Sequence, residues 1–185
     1  MYCACRPAGA LSRLQVGGGS AVQAAVHDSA VVVLEQVVLS GTPPAHLPDD
    51  LTALYCWWED VRADAALPAR AVIDPFSLRS WLGNLSLLER VEEDWRYRLY
   101  GSTLAEAAGF DLTGRRLSDS FAPIVQRFYI DQYSLVTSAL RPVYSRNTRP
   151  ARLQITARVW ERLVMPFAGR SGSADFLLVF ARALD

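Results

Sequence analysis

Tyr97-Arg-Leu-Tyr-Gly-Ser-Thr-Leu-Ala-Glu-Ala-Ala-Gly-Phe-Asp-Leu-Thr-Gly-Arg-Arg-Leu-Ser118 reads as a strand that stops at a glycine, a short helix, and a second glycine turn leading to another helix. Trp95, Tyr97 and Leu99 alternate with Arg96 and Arg98, the period of a half-buried strand. Gly101 breaks it, Ser102 or Thr103 can cap a helix with Glu106 in its first turn, and Gly109 can end that helix in the left-handed conformation. Short helices punctuated by glycine directly after a strand fold back over a sheet and leave a hollow beneath.

Upstream, Leu85, Leu87, Glu89 and Val91 alternate with Ser86, Leu88 and Arg90, so residues 85–91 read as a strand. Glu92, Glu93 and Asp94 turn it into a hairpin with the strand from Trp95. Downstream, Pro123 opens a helix in whose first turn a missing N–H costs nothing, and Ile124, Phe128, Asp131, Leu135 and Ser138 mark one side of it, with Tyr129, Tyr133 and Val136 adjoining. The helix ends near Leu140. Three strands follow, over 142–147, 154–165 (closed by Pro166) and 175–184, with a turn at 169–172 between the last two.

Before the hairpin, residues 76–82 read as a short helix and Asp74 is kept extended by Pro75. Residues 52–63 form a helix that Asp49 or Asp50 can cap, with Leu54, Trp57, Trp58 and Val61 at helical spacing. Two adjacent tryptophans cannot share one face, so the helix is expected to bury one ring and offer the other to a second subunit, unless both pack within the monomer. The dimer surface expected is therefore Leu54, Trp57, Trp58 and Val61.

Gly41 to Pro48 is a linker with three prolines, and the domain boundary is placed there. Residues 1–20 read as disordered and 21–39 as a weak amphipathic helix on Val22, Val26, Val33 and Val37, although β-branched valines disfavour helix. The expected organisation is an extension over 1–48, dispensable to the fold, and a domain over 49–185.

The chain has 185 residues, 51% of them hydrophobic, enough for a sizeable core. Its net charge of zero argues against a general electrostatic grip on nucleic acid. All 19 basic residues are arginine, which removes Schiff-base chemistry and the P-loop lysine; a coding bias explains the composition as well as selection for anion binding does. His27 and His46 both precede Leu51, so the domain holds no imidazole for acid–base work, haem or zinc. Cys3, Cys5 and Cys56 suit neither a structural metal nor a disulfide framework, and a reduced cytoplasmic compartment fits them. The apolar run over residues 30–34 is ended by Glu35, far short of a membrane span.

Over residues 51–185 the chain resembles the PAS domain superfamily, in particular a bacterial group of compact, free-standing PAS-like proteins. The resemblance rests on six segments in order: Leu54-Tyr-Cys-Trp-Trp-Glu59, Ile73-Asp-Pro75, Tyr97-Arg-Leu-Tyr-Gly101, Asp111-Leu-Thr-Gly-Arg115, Arg141-Pro-Val-Tyr144 and Glu161-Arg-Leu-Val-Met-Pro166. It implies an α+β fold: a five-stranded antiparallel sheet, the two amino-terminal strands beside the carboxy-terminal one, short helices on one face and an introductory helix in front. It also implies a small pocket under the helices and a role in sensing or protein contact, not catalysis. Haem-binding and flavin-binding members carry a histidine or cysteine that this sequence lacks at those places, so no cofactor is expected. Output would pass through association with a copy or a signalling partner.

Leu104, Phe110, Phe121 and Phe128, with Tyr144 or Arg146 at the rim, are the expected pocket. They suit a small amphipathic or acidic ligand, unless these aromatic residues simply fill a core. Seven arginines between 141 and 170 (141, 146, 149, 152, 158, 162 and 170) read either as a basic surface for an anion or as a solvated strand face. Glu161 needs a partner, for which Arg98 or Arg146 is the candidate. A rival reading is a small enzyme using Asp111, Asp131 or Glu161 with tyrosines; it lacks histidine, lysine and a paired-carboxylate motif.

Overall fold

The computed structural model describes residues 31–148 and 159–184. An antiparallel sheet of six strands runs β1 (Val33–Val38), β4 (Val143–Thr148), β5 (Val159–Ala168), β6 (Ala174–Leu184), β2 (Leu85–Val91), β3 (Asp94–Tyr100) across its width. The fold is α+β, and β2 and β3 lie beside the carboxy-terminal strand as expected. Helix α1 (Asp49–Arg62) covers one face, while α2 (Ser102–Ala108) and α3 (Pro123–Ala139) cover the other.

The sixth strand is the main departure. Residues 33–38, expected to be helical, form β1 and pair with β4 through Val37 opposite Tyr144 and Glu35 opposite Arg146. Valine's branched side chain fits a pleated strand better than a helix, and here an open sheet edge was available to it. Behind β1, Leu39 and Leu47 are buried in the α1-side core, so residues 33–47 are joined to the domain. Residues 1–30 and 149–158 lie outside the described residues, and with them the expected disorder, the first half of the expected helix and the start of the long strand.

Asp49 and Asp50 lie inside the first turn of α1, behind an N-cap at Pro48, where they favour the positive helix end without capping it. Gly101 is the N-cap of α2, and no side chain caps that helix. A Cβ on Gly101 would come within 2.2 Å of the Gly83 carbonyl oxygen, so glycine lets α2 start against the 3-10 turn Leu82–Asn84. Gly109 ends α2 at φ 78°, as expected. Residues 75–81 form successive turns, not a helix.

Helix α3 buries Val125, Tyr129, Gln132, Tyr133 and Val136, so the adjoining side is the inward one and Ile124 and Asp131 face solvent. Pro166 does not close β5. It lies beyond Val164, the last residue paired with β4, where the missing N–H interrupts no bond to that strand.

The α1-side core contains Leu51, Leu54, Trp58, Leu163, Met165, Phe167 and Phe180. Leu54 and Trp58 are fully buried in the monomer, and the Trp58 indole donates to the Pro166 carbonyl at 2.9 Å. Of the four residues expected at a dimer surface, only Trp57 and Val61 reach solvent. Trp57 rests partly on Phe167, ring centres 6.1 Å apart.

Candidate functional site

Alternation along β5 sends Glu161, Leu163 and Met165 to the α1 face and Trp160, Arg162 and Val164 to the face under α2 and α3. The second face contains a cavity of about 20 Å³ lined by Ser86 and Leu88 from β2, Tyr97 and Tyr100 from β3, Leu104, Phe121, Tyr129, Tyr133, Trp160, Arg162 and two β6 residues. The space is of the order of one or two waters. Only Tyr100 and Phe121 among its walls reach solvent, so the cavity opens between the end of β3 and the loop before α3.

The expected pocket residues divide. Leu104 and Phe121 are in the wall. Phe128 packs behind Tyr129, ring centres 5.4 Å apart, and Phe110 lies outside against Phe121 at 6.5 Å. Tyr144 and Arg146 are on β4 but on other terms: Tyr144 belongs to the α1-side core and Arg146 is exposed. Strand parity puts Val143, Ser145 and Asn147 toward α3, so Tyr144 and Arg146 point to the opposite face from the cavity.

The cation of the cavity is Arg162, which the sequence shows only as one of seven arginines. It is 3% exposed. Its guanidinium carbon lies 4.4 Å from the Tyr129 ring centre, 5.8 Å from that of Tyr133 and 5.9 Å from that of Phe128. Nη2 donates to the Tyr133 hydroxyl at 3.1 Å, and the buried Nε has no hydrogen-bond partner. Among the described residues no carboxylate pairs with it. Burial opposes the charge, but the Tyr133 and Tyr129 hydroxyls outweigh it and the arginine is held above its ordinary value. Burial pushes the Tyr97 and Tyr133 hydroxyls up, so neither is a phenolate counter-ion at neutral pH.

The basic stretch does not form one surface: Arg162 is buried, Arg146 and Arg170 are exposed, and Arg149, Arg152 and Arg158 lie outside the described residues. Glu161 takes neither expected partner. Arg98 pairs with Glu89, and Arg146, opposite Glu161 in register, stays in solvent. Arg182 on β6 binds Glu161 at 2.6 Å because it is the register partner on the side that is covered. The enzyme reading finds no support in placement: Asp111 accepts from Thr113, Asp131 lies 3.6 Å from Arg127, Glu161 is on the other face, and none lines the cavity. Among the described residues no His, Cys, Asp or Glu cluster could hold a metal, and no helix is long and apolar enough to cross a membrane.

Comparison with known proteins gives one family. A family model described as PAS domain matches residues 48–180. Among curated proteins none matches the chain. A solved structure described as "Structure of an RNA-binding Light-Oxygen-Voltage Receptor" is similar at 14% identity and a TM-score of 0.45, over 84% of this chain and 38% of that one. The RNA binding in that description is a property of that receptor.

Proposed function

The chain belongs to the PAS domain family, and from that premise we propose that it is a sensory module, not an enzyme, which takes a small molecule into the cavity beneath α2 and α3. The carrying observation is the composition of the cavity wall: aromatic and apolar residues around one buried cation, open to solvent between Tyr100 and Phe121. Such a wall suits a small amphipathic guest with a polar or acidic head. The cavity as it stands holds a head group, so any apolar tail passes between those two rings. Of the expected ligand residues, Leu104 and Phe121 take that role directly and Phe128 supports it through Tyr129.

Output is proposed to pass through association, with a second copy or a signalling protein, on the part of α1 left outside the core. Trp57 and Val61 are that part. Trp57→Ala is expected to weaken self-association by about 2 kcal/mol if its ring anchors the interface; sedimentation equilibrium measures this, and a monomeric parent protein would remove the dimer. Trp58→Ala is expected to unfold the domain instead.

The module is proposed to work in the cytoplasm without haem, flavin or metal, and without contacting nucleic acid or membrane. Native mass spectrometry and a thermal-shift screen with metabolites on the full chain test the sensor reading, since a ligand that binds the folded state raises the melting temperature by mass action. A bound coloured cofactor would overturn the cofactor-free reading, and a metabolite library without any stabilising member would overturn ligand sensing.

A further inference from the structure

Arg162 has more hydrogen-bonding capacity than the protein uses. A guanidinium carries five N–H donors in a rigid fork and cannot discharge by losing its proton. Here it is 3% exposed, makes one bond among the described residues, to a neutral phenol, and leaves its buried Nε without an acceptor there. The faces of Tyr129 and Tyr133 stabilise a cation electrostatically, which keeps the charge in place but supplies no acceptor in the plane of the fork. Every other side chain of the cavity wall is neutral. Arg182, partly exposed on the other face of the sheet, does have acids: it holds Glu161 and Asp50.

We propose that Arg162 is the anchor of an anion site, and that the molecule sensed in this cavity is a small monocarboxylic acid whose carboxylate lies on the guanidinium. The proposal rests on the cavity being the sensing site and adds the class of the ligand. One fixed positive charge matches one negative charge, so a monoanion is favoured over a phosphate dianion, for which the wall has no second cation. A carboxylate accepts bidentately from an arginine fork. The Tyr133 hydroxyl, already beside Nη2, is a neutral donor able to turn toward a carboxylate oxygen. Of the remaining wall, Leu88, Leu104 and Val179 offer apolar contact where the body of such an acid begins, and Ser86, Tyr97 and Tyr100 carry neutral hydroxyls.

The experiment uses the full chain at constant chloride, with propionate and benzoate as probes and propionamide and benzamide as neutral matches. Thermal shift and calorimetric titration are expected to show saturable binding of the acids, with the amides weaker by about 10–100-fold, as loss of a charged hydrogen-bonding partner implies. Arg162→Met is expected to abolish the preference for acid over amide. In protein labelled with 15N-arginine, the Nε resonance that the variant lacks is expected to move with the acids and stay fixed with the amides. Should Arg162→Met fail to fold, the same preference is read in the parent protein from pH. Benzoate affinity then falls as the pH drops through benzoate's own pKa, while benzamide affinity does not.

Equal binding of acids and amides would overturn the anion site and leave the cavity as a sensor of neutral molecules. Saturable stabilisation by chloride alone, without acid selectivity, would overturn the carboxylate in favour of an inorganic anion. No binding by either probe class would overturn the carboxylate site as well; a metabolite library that also failed would take the sensing cavity with it.

Discussion

Glu161 and Arg162 are neighbours on β5, each 3% exposed, and they face opposite sides of the sheet. On the α1 side the carboxylate is fully engaged. Tyr144 donates to Oε1 at 2.7 Å, Arg182 binds Oε2 at 2.6 Å, and Arg182 goes on to Asp50 in the first turn of α1 at 2.6 Å. Burial and the bond to Glu161 push the Tyr144 hydroxyl well up, so it stays a donor. On the α2–α3 side the guanidinium has one phenol and no acid among the described residues. Charges of equal depth thus have opposite status: one is finished within the fold and ties α1 to the sheet, while the other has its counter-charge outstanding. A buried charge is costly unless paired and hydrogen-bonded, and the second arrangement is the one on which the proposed anion site rests.

Three changes test that contrast, taken in order of size. Deleting residues 1–48 removes β1 together with Leu39 and Leu47 from the α1-side core, an expected loss of about 3–6 kcal/mol for two buried leucines. Urea denaturation is expected to show a cooperative transition at a lower midpoint; an unchanged midpoint would mean that residues 33–47 contribute nothing to the core they touch. Next, Glu161→Ala leaves Arg182 with Asp50 alone and Tyr144 without its acceptor. The expected cost is about 2–3 kcal/mol, below the usual range for breaking a buried pair because Arg182 remains partly solvated.

Arg162→Met is expected to go the other way. It replaces an unpaired buried cation with an apolar chain of similar length, and a gain of about 1 kcal/mol is expected even after loss of the contact with Tyr129. Stability gained by removing a binding group is the usual trade at functional sites. A loss as large as that from Glu161→Ala would erase the distinction between the two faces.

Strands β2 to β6 were legible because period-2 alternation and glycine breaks are local signals, whereas the place of β2 and β3 beside the carboxy-terminal strand came from the resemblance to the PAS family. β1 was not legible: its valines match helical spacing at four and seven, and only the vacant edge of β4, contributed from more than a hundred residues away, decides for a strand. The site was half legible. Leu104 and Phe121 follow from their place around the glycine-flanked helix, whereas Tyr144 and Arg146 needed the parity of β4, and a shift of one residue moves a side chain to the other face. Arg162 was visible as a residue but not as an exception. What distinguishes it is the missing partner, and pairing across strands and helices is a tertiary property. One signal was available: in the long strand it falls between Glu161 and Leu163, on the parity of Trp160 and Val164, which places an arginine among core positions.

The smallest expected effect tests the comparison where the two faces are alike. Asp74, in the turn before the buried Leu78 of the α1-side core, accepts from the Ser77 amide and hydroxyl, both at 2.9 Å. Asp111, before the buried Leu112 of the α3-side core, accepts from the Thr113 amide and hydroxyl, both at 2.8 Å. In each case the backbone amide bond is the main cause that holds the carboxyl below its ordinary value, with the hydroxyl adding to it. A depressed folded-state pKa means that the stabilisation is complete above the unfolded aspartate value of about 3.9 and is lost as pH falls through the lower folded value. The melting temperature is therefore expected to decline below pH 4, and Asp74→Asn and Asp111→Asn should each flatten that decline slightly and to a similar extent. Both turns are in full solvent, so their contributions should match whichever core lies behind them. A clearly larger effect at Asp111 would show that its carboxylate also acts on the cavity side, where Arg162 is otherwise the only charged side chain in the wall among the described residues.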